Sequence, residues 1–166
     1  MEKVIEGKAI LLGDNIDTDV IIPGEFLTLM DPHELAKHAL QGLDPSFSKK
    51  VSKGDYVIIA GRNFGGGSSR EQAPVALKYA GIRAIVAPTF ARIFYRNALN
   101  IGLPVLECDE IFGKVKEGEK LRISIDSGEI KVISSNEVFK ARPIPEFMQE
   151  IILDGGLVEH LRKKYA

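Results

Sequence analysis

The run Gly65-Gly66-Gly67-Ser68-Ser69-Arg70-Glu71 holds the side chains of this protein best suited to chemistry. It lies between a strongly apolar segment, Tyr56-Val57-Ile58-Ile59-Ala60, and a stretch of helical character that reaches about Tyr79. Consecutive glycines permit positive φ angles and let a ligand approach the backbone closely. A helix beginning beside them presents unpaired N–H groups and the positive end of its dipole, which suits an anion. Ser68 and Ser69 add hydroxyls there, and Arg70 adds a planar fork of donors matched to a carboxylate or phosphate. Such surroundings also favour a serine alkoxide, which an unassisted hydroxyl does not form near neutral pH. Spacing excludes the common alternatives. A P-loop requires Gly-Lys before Ser or Thr, and both the dinucleotide fingerprint and the nucleophile elbow require glycine where Arg70 stands. The plainer reading is a flexible turn whose serine only caps the next helix.

The elements around this loop read as alternating strands and helices. Lys8 to Leu12 forms a short apolar strand closed by Gly13-Asp14, and Val20-Ile21-Ile22 after Asp17-Thr18-Asp19 reads as a second extended piece. Asp31-Pro32-His33-Glu34 opens a helix: Asp31 caps, Pro32 suits the first position, and Glu34 completes a capping box. That helix is expected to reach about Leu40, with Leu35, Ala39 and Leu40 inward and Gly42 as its stop. Lys49 to Gly54 reads as a polar linker. Tyr56–Ala60 is a strand of the kind buried on both faces, and a helix from about Ser69 to Tyr79 follows the loop, with Pro74 awkwardly inside it. Ile82–Ala87 (strand), Phe90–Asn100 (helix) and Leu103–Leu106 (strand) continue the alternation, which argues for parallel βαβ units. Period-two patterning at 121–125 and 130–133 around Asp126-Ser127-Gly128-Glu129 indicates a β-hairpin. Helices near 145–153 and 157–164 finish the chain. The expectation is one α/β domain over residues 1–166, with an added hairpin.

Composition narrows the class. A 166-residue chain with 45% apolar and 27% charged residues is long enough and apolar enough to fold around a core. A net charge of −1, with signs interspersed, argues against a nucleic-acid or anionic-membrane surface. No apolar run approaches a membrane span, and Met1-Glu2-Lys3-Val4 lacks the layout of a secretory signal, so a cytoplasmic location is expected. The single cysteine, Cys108, excludes an internal disulfide and an iron–sulfur cluster held by this chain alone. It follows Leu103-Pro104-Val105-Leu106 and reads as a small buried hydrophobe.

Gly67-Ser68-Ser69-Arg70-Glu71 resembles the glycine-serine-serine-arginine-glutamate motif of the aconitase superfamily's mobile swivel domain. The likeness extends over nearly the whole chain. Asp17-Thr18-Asp19 resembles the family's threonine-aspartate segment, and Arg83–Ala87, Phe90-Ala91-Arg92-Ile93 and Asn97 to Pro104 resemble the strand and helix entry that follow the loop. Gln72 departs from the histidine of many relatives. The resemblance implies a β/β/α swivel fold and a hydro-lyase. It implies that Ser68 is the catalytic base, Ser69 a neighbouring polar group, Arg70 the substrate-carboxylate clamp and Asp19 an active-site aspartate. Gly66 and Gly67 complete the expected substrate loop. It also implies a [4Fe–4S] cluster on a separate large subunit, joined to this chain as a heterodimer or heterotetramer, with no metal site in this chain. A homo-oligomer of the isolated chain is open.

In such subunits the loop after the threonine-aspartate segment meets the variable group of the dicarboxylate substrate. Here it reads Phe26-Leu27-Thr28-Leu29-Met30, without arginine or lysine. Burying an extra, unpaired carboxylate against these apolar side chains would be costly, so an isopropyl group fits better than the carboxylate of homoaconitate. The expected reaction interconverts 2- and 3-isopropylmalate by dehydration and rehydration, in leucine biosynthesis. Homoaconitate or a methylmalate-type acid as substrate, and a non-catalytic anion-binding module, are the alternatives. His33 and His38, five residues apart, cannot share a helical ligand face. His160 reads as solvated, Arg92 and Arg96 as able to reach an anion though arginines so placed are more commonly paired or on the surface, and Arg162-Lys163-Lys164 as a helix end complementing its dipole.

Overall fold

The computed structural model describes residues 3–165. Strands β1 (Val4–Leu11), β2 (Tyr56–Ile59), β3 (Ile82–Ala87) and β4 (Val105–Glu107) lie parallel, and β5 (Lys120–Ser124), β6 (Glu129–Val132) and β7 (Val138–Lys140) extend the same sheet antiparallel. The order is β4-β3-β2-β1-β5-β6-β7. This is the expected mixed α/β architecture with a largely parallel sheet. The two halves show their environments in their sequences. In β3, Ala84 to Ala87 are all buried, as in a strand covered on both faces, whereas β5 alternates buried Leu121 and Ile123 with exposed neighbours.

The expected hairpin is present, with Leu121 opposite Val132 and Ile123 opposite Ile130. Its docking along β1, and the third strand β7, were not legible: β1 pairs with β5 across more than a hundred residues of chain, and Val138-Phe139-Lys140 is too short to announce itself. The helices are α1 (Thr18–Ile21), α2 (Pro32–Ala36), α3 (Phe47–Val51), α4 (Gln72–Ala80), α5 (Arg92–Asn100), α6 (Glu146–Leu153) and α7 (Leu157–Tyr165).

Several boundaries differ from the sequence reading. Val20-Ile21-Ile22 is not extended: Asp17 accepts from Val20 N at 3.0 Å and caps the single turn of α1, whose Ile21 is buried. The polar linker near Lys49 contains α3, formed because Phe47 and Val51 are buried on its inner side. Asp31 caps α2 as expected, but Glu34 turns to Lys37 at 3.0 Å instead of closing the box. The regular helix ends at Ala36, and Leu40 takes φ 52° with its side chain buried. Helix α4 starts at Gln72 rather than Ser69. Pro74 is then its third residue, where a missing N–H breaks no helical bond, and the irritant disappears. Helix α5 begins at Arg92, since Phe90 is held in a bridge to Phe64. The last parallel strand starts two residues later than expected and ends one later, at Val105–Glu107.

Candidate active site

The carboxyl ends of three neighbouring parallel strands deliver the site. After β1 come Asp17 to Asp19, after β2 the glycine-rich loop, and after β3 the first turn of α5. Since β2 lies between β1 and β3, the loop is clasped from both sides. On one side Gly65 N donates to Ile16 O at 2.7 Å, Thr18 N to Gly66 O at 2.9 Å, and Thr18 Oγ1 to Ser68 O at 2.7 Å. On the other, Phe64 N donates to Thr89 O and Ala91 N to Phe64 O. A ring cluster of Phe64, Phe90 and Phe94 lies beneath.

Gly65 and Gly67 both take φ 85°, a conformation that disfavours a side chain. At Gly65 space forbids one as well, since a Cβ would stand 2.2 Å from Phe94 Cγ. The loop is therefore a built turn, not a slack one. Ser68 and Ser69 emerge from it exposed, and among the described residues neither hydroxyl has a partner. Neither caps α4: Glu71 occupies the cap position without a side-chain bond, while Ala73 N donates to Arg70 O at 3.2 Å and Pro74 has no N–H to offer.

Arg70 is held on two sides. Its guanidinium pairs with the Asp19 carboxylate and donates to Ile22 O at 2.9 Å, and only 16% of its side chain remains exposed. The expected clamp and the expected aspartate are thus brought together, with the aspartate acting on the clamp.

A cleft of about 540 Å³ opens here, lined by Gly65, Gly67, Ser68, Ser69 and Arg70 on the loop side and by Arg92, Ile93, Phe94, Arg96 and Asn97 on the α5 side. No acidic side chain lines it. Arg92 and Arg96, set aside by the sequence reading as more commonly paired or surface residues, are exposed in this cleft, and among the described residues neither has a carboxylate partner. Thr18 was also missed as a supporting residue; it is buried, and its hydroxyl fixes the Ser68 peptide.

The Phe26–Met30 segment does not line the cleft. Phe26, Leu27 and Leu29 pack against the core, Met30 is 93% exposed, and Thr28 is exposed. The segment still adjoins the site: Gly24 lies beside the Arg70 guanidinium, and Gln72 Nε2 donates to Leu27 O at 3.4 Å. His38 stacks on Phe26 with ring centroids 3.7 Å apart, while His33 meets Tyr79 edge-on, so neither points to a shared metal. His160 is not simply solvated: its Nδ1 lies 2.8 Å from Asp154 Oδ2, and Lys163 reaches the other oxygen at 3.1 Å.

Comparison with known proteins decides the family. The aconitase C-terminal domain model matches residues 43–110. The isopropylmalate/citramalate isomerase small subunit of Methanocaldococcus jannaschii is 50% identical over 166 residues, covering 100% of this chain and 98% of that one. The chain belongs to the 3-isopropylmalate dehydratase small-subunit family. A bacterial 3-isopropylmalate dehydratase small subunit, from Caldicellulosiruptor saccharolyticus, is 52% identical over 96% of this chain and 91% of its own length. The crystal structure of the M. jannaschii 3-isopropylmalate dehydratase superimposes with a TM-score of 0.88 at 48% identity, covering 97% of this chain and 95% of that one. The shared fold is therefore the aconitase-type small-subunit fold of this family.

As a member of a small-subunit family, the chain has a large subunit as its counterpart. Its own residues do not fit an iron–sulfur cluster. Cys108 is 2% exposed with Sγ directed at Lys140 O, and among the described residues no group of His, Cys, Asp and Glu is arranged for a metal. Among the described residues no helix is long and apolar enough to cross a membrane.

Proposed function

We propose that this chain, acting as one domain over residues 1–166, is the small subunit of an isopropylmalate isomerase. The complex interconverts 2- and 3-isopropylmalate by dehydration and rehydration, in leucine biosynthesis in the cytoplasm. The observation that carries this reading is the cationic cleft at the carboxyl ends of β1, β2 and β3, with unpartnered Ser68 beside the held Arg70.

Arg70 binds one substrate carboxylate with the guanidinium hydrogens that Asp19 and Ile22 O leave free, at a position those two partners set. Asp19 is in this reading a positioning residue. Ser68, as alkoxide, takes the proton from the carbon next to that carboxylate and returns it in the hydration direction. Its ionised form is favoured by the arginines of the cleft, with no carboxylate in the lining to oppose it. Ser69 donates to the same carboxylate, and Gly66 and Gly67 keep the backbone low enough for the substrate to reach it. Departure of the hydroxyl needs a Lewis acid, which a [4Fe–4S] cluster on the large subunit would supply.

The Phe26–Met30 segment, including Leu27, Thr28 and Leu29, offers no cation for a third carboxylate, which supports an apolar substituent over homoaconitate. Citramalate is the second reading, favoured by the name of the M. jannaschii relative. The test is reconstitution with a cluster-loaded large subunit and assay on isopropylmalate, citramalate and homoaconitate. Highest kcat/KM on isopropylmalate is expected; preference for homoaconitate overturns the reading.

A further inference from the structure

The three glycines of the loop have no side chains with which to fix their own height, so each must rest on a neighbour. Gly65 rests on the Phe94 ring. Gly67 lies against the β1 loop, where a Cβ would stand 3.5 Å from Asp17 Cβ and 3.6 Å from Thr18 Oγ1. Gly66 has a different support. The heavy atoms nearest to a Cβ at that position are Nδ2, Oδ1 and Cγ of Asn63, at 3.1, 3.4 and 3.5 Å. The middle glycine of the loop sits on one side-chain amide.

That amide is itself held from the neighbouring strand end, since Asn63 Nδ2 donates to Asn15 Oδ1 at 3.2 Å. Both asparagines take a left-handed backbone, φ 57° at Asn63 and 55° at Asn15, which is uncommon outside glycine. Asparagine tolerates it better than other side chains, so one such residue alone would be an ordinary turn. Here the two are bonded to each other, and the backbone around them is stitched at the same level. Asn15 N donates to Arg62 O, Arg62 N to Asp14 Oδ1 and Asn63 N to Thr89 Oγ1, each at 2.8 Å. Backbone strain that its surroundings over-determine clusters at functional positions. Both side chains are exposed, so the bond between them adds little to stability. What it fixes is a position.

We propose that Asn63 is a positioning residue for the reaction: its amide, anchored by Asn15, supports Gly66 and thereby sets where Ser68 meets the substrate. This rests on the functional reading above, in which Ser68 moves the proton. Only Phe64 and the three glycines separate Asn63 from Ser68, so a shift at Gly66 passes directly to the serine. Arg70 is gripped separately, by Asp19 and Ile22 O. Loss of the amide therefore slows proton transfer and leaves substrate binding in place.

The test uses N63G and N15G, because glycine keeps the left-handed backbone and deletes only the amide. In the complex reconstituted with a cluster-loaded large subunit, kcat on isopropylmalate should fall about tenfold in each, with KM held within about twofold. N15G/N63G should fall no further than either single variant, since residues acting as one unit are not additive. The urea midpoint should stay unchanged. Unchanged kcat in N63G overturns the proposal and leaves Asn63 an ordinary turn residue. So does a rise in KM at constant kcat, so do losses that multiply in the double variant, and so does a fall in urea midpoint that tracks the loss of kcat. Amide exchange at Gly65 and Thr18, both bonded in the clasp around the loop, is measured alongside and does not depend on turnover. It should quicken in N63G, and equal protection in N63G and the wild type overturns the proposal as well. Absence of turnover in the wild-type complex counts against the functional reading alone, and the exchange then decides whether Asn63 holds the loop.

Discussion

The carboxylate of Asp19, on the single turn of α1, holds the guanidinium of Arg70, 51 residues further along the chain. Ile22 O completes the grip from the residue that closes the same turn. The segment after β1 thereby aims a side chain that belongs to the loop after β2, and the arginine is set before any substrate arrives. Asp19→Asn removes the charge but keeps a similar shape. Since Asp19 is 62% exposed, stability should hardly change, whereas kcat/KM should fall about tenfold through loss of aim. Asp19→Glu should recover part of it. A fall in thermal midpoint matching the loss of activity would refute a positioning role.

Ser68→Ala should reduce kcat by about 10²–10⁴-fold, the usual worth of a positioned acid–base group. Ser68 is exposed and its peptide carbonyl, not its hydroxyl, is what Thr18 holds, so KM and assembly should survive. Steady-state kinetics on the assembled complex decide this, and near-normal kcat removes Ser68 as the base.

Gly65→Ala should destabilise the chain by about 2 kcal/mol or more, because the added methyl meets both a ring and a left-handed backbone. The clash is 2.2 Å from Phe94 Cγ at φ 85°. Gly66→Ala, whose Cβ would stand 3.1 Å from the Asn63 amide at an ordinary φ, should be far milder. Urea unfolding of both variants gives the comparison.

Thr28→Arg places a cation in the segment that lacks one without touching the core, since Thr28 is exposed. The expected result is a gain of kcat/KM on homoaconitate and a loss on isopropylmalate. An unchanged ratio between the two substrates would remove this segment from substrate selection.

His160 and Lys163, by donating to Asp154, hold its carboxyl below the ordinary value of 3.8. A carboxyl depressed in the folded state contributes fully above its unfolded pKa, and the contribution fades as pH falls through the lower folded value. The tie between the end of α6 and helix α7 should therefore persist at neutral pH and loosen below about pH 4. Hydrogen exchange of 157–165 should quicken there in the wild type, and already at neutral pH in Asp154→Asn. Equal protection in the two proteins at pH 7 would dismiss the tie.

Local chemistry determined the parallel core, the hairpin and the glycine-rich turn. Apolar runs such as Ile82–Ala87 have no other place to go, period-two patterning allows only a half-buried pair, and three successive glycines suit few backbones other than a tight turn. The motif's serines and arginine were visible for the same reason: their meaning lies in adjacent positions. Tertiary structure decided the rest. Whether Val20 to Ile22 was strand or helix depended on the Asp17 cap and on burial of Ile21, and the partner of Arg70 depended on β1 and β2 being neighbours in the sheet. For Arg92 and Arg96 the sequence left an anion contact and a wet surface both open, and only the fold places them in the lining of the cleft with Ser68. Only the β3–β2 pairing sets the start of α5 opposite Ser68, and electrostatics across that gap act through space, which sequence spacing does not measure.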